Sequence, residues 1–146
     1  MVISDSTGKT ETLTDILVGE VWMCSGQSNM EWMVADALGG EDAIAGAGDP
    51  GIRHFKVPRS FAAAPEPELA GGAWLAADSE HVGEFTGVGY FFARALRPRV
   101  DVPIGLINST WGGSRIEAWM SAESLGLDER GVREMLERER RREEEL

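Results

Sequence analysis

Apolar residues along the chain fall in short runs separated by glycine, proline and polar residues, a pattern typical of strands that alternate with short helices. Residues 2–4 and 11–13 flank a polar segment containing Gly8, which predicts a short β-hairpin. Residues 16–23 (ILVGEVWM) form a denser run of strand length. Because residues 21–24 are apolar without alternation, we expect this strand to be buried on both faces, as in a parallel sheet.

The middle of the chain predicts a helical region, a strand and an irregular connection. Residues 34–50 are rich in alanine and glycine, which indicates one or two loose helices ending in a turn at Asp49-Pro50-Gly51. Residues 52–57 are typical of a short strand, and Pro58 stops it. Residues 58–73 hold three prolines and two glycines, so we expect an irregular surface connection there.

The second half continues the alternation. A helix is predicted from the capping residue Thr86 to about Leu96, with Pro98 ending it. A second apolar strand is predicted at residues 102–107, and helical pieces follow at 116–120 and 128–146. The class is therefore α/β with a mainly parallel sheet.

Two unusual segments follow the two strongest strands: SGQSN at residues 25–29 and STWGGS at residues 109–114. In parallel sheets, ligands bind beyond the carboxyl ends of the strands. Both segments fall at such ends, so this edge of the sheet is the predicted site.

The net charge and the cysteine content restrict the classes of partner and of site. The net charge is −11, from 25 acidic and 14 basic residues, which disfavours nucleic acid and anionic membranes as partners. Cys24 is the only cysteine, which excludes an internal disulfide or a cysteine-based zinc site, and we interpret it as a buried thiol on a strand. No run of about 18 apolar residues predicts a spanning helix. The sequence does not begin with a signal-peptide pattern, and it does not determine the cellular compartment of the protein.

The two segments suggest nucleophilic chemistry. A serine at a strand end, such as Ser28, has its hydroxyl at the mouth of the sheet, but it needs an adjacent base, usually histidine. Backbone N–H groups nearby can stabilise an oxyanion, and Gly112-Gly113 lets the backbone approach a ligand closely. A serine in a glycine-rich turn is also a common structural feature, so both interpretations remain open.

Three segments, GEVWMCSGQSNMEW, FTGVGYFFARAL and VPIGLINSTWGGSRIEAWMS, together resemble the sialate O-acetylesterase family of the SGNH hydrolase superfamily. The resemblance spans roughly residues 15–121. It implies part of a three-layer α/β/α hydrolase that removes O-acetyl esters from sugars through an acyl-serine intermediate, with no metal or cofactor. It divides the chain into a remnant of a preceding β-rich domain (1–15), the N-terminal part of the esterase domain (16–127) and a charged helical tail (128–146).

The resemblance also implies roles for individual residues. Ser28 matches the nucleophile, and Gly113, with Gly112 as the alternative, matches an oxyanion-hole position. Arg115 could pair with a carboxylate-bearing sugar or lie on the surface. The positions that match pocket-shaping residues of the motifs are Gln27, Asn29, Trp111 and Glu117.

The family's later blocks have no counterpart in the sequence. The family's third oxyanion donor is an asparagine in a later block, which usually has a Gln-Gly-Glu sequence. Gln27 is the only glutamine here, so the chain has no such block. The Asp-x-x-His block is matched only by Asp78 and His81, which precede the second segment, where the family has an ordinary loop. We interpret His81 as an exposed surface residue, with a catalytic base oriented by Asp78 as the alternative, and His54, inside a strand, as a structural residue.

We therefore expect a truncated esterase without its catalytic base, to which a second chain could supply the missing half. A non-catalytic sugar-binding or interaction remnant and a fragment without independent function are the alternatives. The tail predicts a solvated helix with opposite charges three or four residues apart. Val132, Met135 and Leu136 can dock its start against the body, and binding of a partner is the alternative role of the tail.

Overall fold

The computed structural model describes residues 1–145 and confirms a mixed α/β fold with a separate β-hairpin. The strands are β1 (Val2–Ser4), β2 (Thr10–Thr12), β3 (Glu20–Gly26), β4 (Gly48–Lys56), β5 (Trp74–Asp78) and β6 (Ile104–Thr110). The α-helices are α1 (Ser28–Glu31), α2 (Gly40–Ala45), α3 (Gly87–Leu96) and α4 (Glu129–Glu144). Short 3₁₀ segments lie at Val34–Asp36, Val82–Glu84, Arg97–Arg99 and Ile116–Trp119. Within residues 1–145, no helix is long and apolar enough to cross a bilayer.

The main sheet has the strand order β3–β6–β4–β5. β6 pairs in parallel with both β3 and β4, while β5 runs antiparallel to β4. β1 and β2 form the predicted hairpin, with Val2 opposite Thr12. The sheet is therefore mainly parallel, and its three parallel strands end at one common edge.

The core lies between the sheet and the helices on one of its faces. Ile104, Leu106, Asn108 and Thr110 alternate as buried residues along β6, as a strand with one covered face requires. Helix α3 packs closely there, because a β-carbon added to Gly89 would lie 2.7 Å from the Cys24 Sγ. Cys24 is buried as predicted, and burial raises the pKa of its thiol.

The expectation that β3 is buried on both faces is wrong for the described residues. Val21 and Met23 point to the face opposite α3 and are 60% and 65% exposed. β3 is an edge strand of the described sheet, and helix α3 packs on its other face, against Trp22 and Cys24. The helical layer of the expected three-layer arrangement is correspondingly present on one face only within residues 1–145.

Two local predictions also need correction. Asp49, Pro50 and Gly51 do not form a turn but lie within β4, where a register shift between Asp49 and Arg53 accommodates them. A proline at such an irregularity needs no ladder hydrogen bond. Thr86 occupies the N-cap position of α3 but makes no side-chain cap; its hydroxyl donates to the Met30 carbonyl at 2.6 Å, joining α3 to α1.

Candidate active site

The two loops singled out in the sequence follow neighbouring strands, and both begin at the same end of the sheet. Gly26, the last residue of β3, lies opposite Thr110, the last residue of β6, in the parallel register. The Trp111 N–H continues this pairing by donating to the Gly26 carbonyl at 3.0 Å. The backbone ladder thus brings the segments around Ser28 and around Gly112 side by side.

Ser28 is the first residue of α1, two residues beyond the end of β3. The chain turns sharply there, since the N–H groups of Met30 and Glu31 both donate to the Gln27 carbonyl. Ser28 is exposed. Among residues 1–145, neither its hydroxyl nor its backbone N–H has a hydrogen-bond partner. Its hydroxyl is accessible to a ligand, but no described base is in place to activate it.

The glycine pair packs directly against Ser28. A β-carbon built on Gly112 would lie 3.6 Å from both the Cα and the Cβ of Ser28. Gly113 adopts a left-handed conformation with φ of +75°, which a glycine accepts at little cost. Its N–H has no acceptor among the described residues, whereas the Gly112 N–H donates to the Glu31 Oε2 at 2.7 Å.

The remaining predicted residues divide into two groups. Gln27 joins the loops, because its side-chain amide donates to the Ser114 carbonyl, and Trp111 lines a cavity beside them. Asn29, Arg115 and Glu117 are exposed and make no side-chain hydrogen bond within residues 1–145. The structure gives these three no described partner, and their role in the pocket remains a prediction.

A cavity of about 240 Å³ opens beside the glycine loop. Its aromatic wall includes Trp111 and Phe61, whose ring centroids lie 4.7 Å apart, and Trp119, whose indole N–H donates to the Ser114 hydroxyl at 2.8 Å. The Arg59 guanidinium lies 5.2 Å from the centre of the Trp111 ring. Aromatic faces with a polar rim suit a flat, hydroxyl-rich ligand.

Glu31 and Arg59 were not singled out from the sequence. The Arg59 guanidinium contacts the Glu31 Oε1, while the Glu31 Oε2 accepts the Gly112 N–H. Burial disfavours the charged carboxylate, but the hydrogen bonds from Arg59 and Gly112 outweigh it and hold the pKa of Glu31 below its usual value. A glutamate three residues after the serine, on a helical turn, was the available sequence signal.

Asp78 and His81 do form a pair, with the His81 Nδ1 2.8 Å from the Asp78 Oδ1, and His81 is half-buried rather than exposed as predicted. Asp78 lies opposite Gly48, at the edge of the sheet where the parallel strands begin. Ser28 lies beyond the opposite end of the sheet, where the parallel strands finish. At roughly 3.3 Å per residue, the two places are about 20 Å apart along the strands. The structure therefore does not bring this pair to the serine.

His54 is a core residue. It is 2% exposed, stacks on Phe85 at 4.3 Å between ring centroids and lies 3.4 Å from the Thr86 N–H through its Nε2. Burial, with a smaller contribution from Lys56, lowers the pKa of His54 to about 4. Both histidines of the chain are thus accounted for, and neither contacts Ser28.

Helix α4 is more closely joined to the body than a solvated tail. Val132 is buried, and Met135 and Leu136 are half-buried, as predicted. The far end of the helix also reaches the loop, because the Arg142 guanidinium donates to the Gly113 carbonyl at 3.2 Å. Glu139 is buried beside the cavity, a position that its charged surroundings in the sequence did not indicate.

Comparison with known proteins places this arrangement among known folds. The family model for carbohydrate esterase, sialic acid-specific acetylesterase, matches residues 18–145. Sialate O-acetylesterase from Rattus norvegicus is 32% identical over 136 residues, covering 85% of this chain and 25% of the relative. The Homo sapiens sialate O-acetylesterase is 35% identical over 119 residues, covering 76% and 23%.

A solved structure of a carbohydrate acetylesterase from Xanthomonas citri superposes with a TM-score of 0.78 at 54% identity, covering 83% of this chain and 28% of that one. The chain thus spans about a quarter of the length of the curated relatives that it matches. The matched part contains both loops and helix α4.

Proposed function

The chain belongs to the sialic acid-specific acetylesterase family of carbohydrate esterases, and from that premise we propose that it supplies the nucleophile side of a carbohydrate O-acetylesterase. Ser28 is the proposed nucleophile and an O-acetylated sugar the proposed substrate. The observation that carries the proposal is the placement of an exposed serine against a glycine loop at the carboxyl edge of the sheet.

The proposed reaction has two steps. The Ser28 Oγ attacks the acetyl carbonyl carbon, a base takes the hydroxyl proton, and the carbonyl oxygen becomes an oxyanion. When this intermediate collapses, the bond to the sugar oxygen breaks, and the base returns the proton to the leaving sugar hydroxyl. Water then attacks the acyl-serine with help from the same base, releasing acetate and restoring the serine.

Two backbone N–H groups are the proposed donors to the oxyanion. The N–H groups of Ser28 and Gly113 have no acceptor within the described residues, and Gly113 directly follows Gly112, which packs against Ser28. Each preorganised donor of this kind contributes about 10²–10³ in rate in enzymes where one has been removed. The N–H of Gly112 is already committed to Glu31, which favours Gly113 as the donor of the pair.

The base is proposed to come from residues that are not among these 146, either further along a longer protein or on a second chain. Support comes from the position of both histidines, one in the core and one at the opposite sheet edge. Strand β3, which precedes Ser28 in the chain, offers such a segment an exposed face with Val21 and Met23 and, on one side, an unpaired backbone edge.

The aromatic cavity beside the loop is the proposed site of the sugar. Sugar rings pack their C–H faces on aromatic side chains, and Trp111 and Trp119 provide such faces close to the glycine pair. Binding of acetylated sugars without turnover is a second candidate function, favoured by the absence of any base beside Ser28 among residues 1–145. Trp111→Ala would weaken sugar binding under both proposals.

The test joins this chain to the remaining C-terminal part of the Xanthomonas citri acetylesterase, which is 54% identical over the matched region. We expect the chimera to hydrolyse p-nitrophenyl acetate and an O-acetylated sugar, and Ser28→Ala to lower the rate by about 10⁴-fold or more. Ser25→Ala, an exposed serine three residues earlier, is the matched control and keeps the rate. Full activity in Ser28→Ala would remove the proposal, and saturable binding without turnover would favour the second candidate.

A further inference from the structure

We propose that Glu31 is a positioning residue for this reaction: its carboxylate binds the Gly112 N–H and holds the glycine loop against the nucleophile helix, so that Gly113 is the loop's oxyanion donor. The catalytic meaning of this inference rests on the proposed function. The contact itself does not, since it is a property of the folded chain.

The geometry places Glu31 between the two loops. Glu31 is the last residue of α1 and lies three residues after Ser28, so that both side chains belong to the same helical turn. Its Oε2 accepts the Gly112 N–H at 2.7 Å, across 81 residues of sequence. The Glu31 carboxylate is thus the direct side-chain link between the helix that begins with the serine and the glycine pair.

The second carboxylate oxygen is held as well. Arg59, from the irregular connection after β4, contacts the Glu31 Oε1 and lies over the ring of Trp111. Glu31 is therefore fixed from two sides, by a guanidinium and by a backbone N–H, and both of its oxygens receive donors. A neutral amide at this position would turn an N–H donor toward either Arg59 or Gly112, so the site requires a carboxylate rather than glutamine.

This contact assigns different tasks to two adjacent glycines. Gly112 gives its N–H to Glu31 and fixes the position of the loop. Gly113, with φ of +75°, keeps an N–H that no described residue accepts. Oxyanion stabilisation depends on donors placed in advance, and a displacement of about 1 Å can cost about 10²-fold in rate. Loss of the Glu31 contact would release Gly112 and let Gly113 move.

The charged groups that face Glu31 are few. Arg59 contacts it directly, Lys56 at the end of β4 lies near enough to favour its negative charge, and Glu143 of α4 lies 3.9 Å from the Arg59 guanidinium on the other side. The two cations and the Gly112 N–H keep Glu31 ionised to a pH below the usual range of a glutamate. The contact should therefore persist through the neutral and mildly acidic range and weaken only when Glu31 is protonated.

The test measures the Gly112 amide by ¹H–¹⁵N NMR on the 146-residue chain while the pH is lowered from 7. We expect the Gly112 amide proton to lie downfield and to move upfield in one step with the Glu31 carboxyl. Glu31→Gln should remove this step, and Glu84→Gln, an exposed glutamate elsewhere, should leave it unchanged. A Gly112 amide that does not titrate in the wild-type chain overturns the proposal, even if Glu31→Gln fails to fold.

The second measurement uses the active chimera described above. Glu31→Gln and Glu31→Ala should lower kcat by about 10- to 100-fold with little change in KM. Glu31→Asp, which keeps the carboxylate, should recover part of the loss. Unchanged kcat in Glu31→Ala, with Ser28→Ala inactive, would overturn the positioning role and leave the esterase proposal standing. An inactive chimera whose Gly112 amide titrates as expected would contradict the esterase proposal instead.

Discussion

A β-carbon built on Gly112 would lie 3.6 Å from the Cβ of Ser28, an ordinary van der Waals contact. The same added carbon would lie 2.8 Å from the Glu31 Oε2, too close for both to stay in place. Position 112 therefore has room on the side of Ser28 but none on the side of the Glu31 carboxylate.

Gly112→Ala should consequently move the Glu31 side chain while leaving the fold intact, because the obstructing atom is the end of a flexible side chain. Gly113→Ala should instead strain the backbone, since φ is +75° there, and should lower the free energy of unfolding by about 1 kcal/mol. Urea unfolding of both variants measures the difference. A larger loss in Gly112→Ala than in Gly113→Ala would contradict this assignment.

His81→Ala should leave any esterase rate unchanged. The Asp78–His81 pair lies at the edge of the sheet where the parallel strands begin, whereas Ser28 lies beyond the opposite edge. The measurement is the rate of p-nitrophenyl acetate hydrolysis by the isolated chain, compared with the variants His81→Ala and Ser28→Ala. We expect background rates in all three, and turnover that both substitutions abolish would show that the pair acts on the serine after all.

The free energy of unfolding should fall as the pH drops through the range in which His54 is protonated in the unfolded chain but neutral in the folded chain. Burial lowers its pKa from 6.5 to about 4, so the unfolded chain binds a proton that the folded chain does not. The contribution is fully present above about pH 6.5 and is lost as the pH falls towards 4, by about 3 kcal/mol in total.

The measurement compares unfolding free energies at pH 7 and pH 4.5 for the wild-type chain and for His54→Gln. The variant lacks the titrating imidazole, so its stability should depend less steeply on pH, although it is less stable overall. His81→Ala serves as the control, because it removes the other, half-buried histidine of the chain. Equal pH dependence in wild type and His54→Gln would contradict the buried, neutral state of His54.

The exposed face of β3 should make the isolated chain associate. Met23 and Val21 lie next to an edge with unpaired backbone groups, a combination that favours pairing with another chain. Met23→Lys should shift sedimentation towards the monomer at equal concentration. Val88→Lys, at a residue 52% exposed on α3, is the matched control and should have little effect. Identical sedimentation of wild type and Met23→Lys would count against an associating edge.

Local pattern was sufficient for most of the fold. The hairpin, the strand at residues 52–57, the helix ending near Leu96 and the final helix were all predicted, because each depends on residues close in sequence. The turn predicted at Asp49-Pro50-Gly51 was wrong, since turn residues at a strand irregularity look the same in sequence as those in a loop. The exposed face of β3 could not be predicted either, because burial of a face depends on which elements pack on that side of the sheet.

The meeting of the two candidate loops could also be predicted from the sequence. Ser28 and the glycine pair were found because they follow strong strands, and the parallel register then places them together. Glu31 was not singled out, because its position three residues after Ser28 does not reveal its partner Gly112, which is 81 residues away. The helix α4 was predicted, but its contact with Gly113 was not, because a charged sequence predicts a helix without indicating which residues it reaches.

The antiparallel direction of β5 has a consequence for how this site could change. Because β5 runs back from the end of the sheet where the parallel strands finish, the residues that connect β4 to β5, including Arg59 and Phe61, lie beside the glycine loop before the chain turns back. That connection carries no strand or helix, so its length and sequence can vary without disturbing the ladder that sets Ser28 beside Gly112. Arg59 is the exception, because it contacts Glu31 and is tied through it to the glycine loop. The rest of the connection, including Phe61, can therefore diverge and reshape the cavity while the contacts around Ser28 are kept.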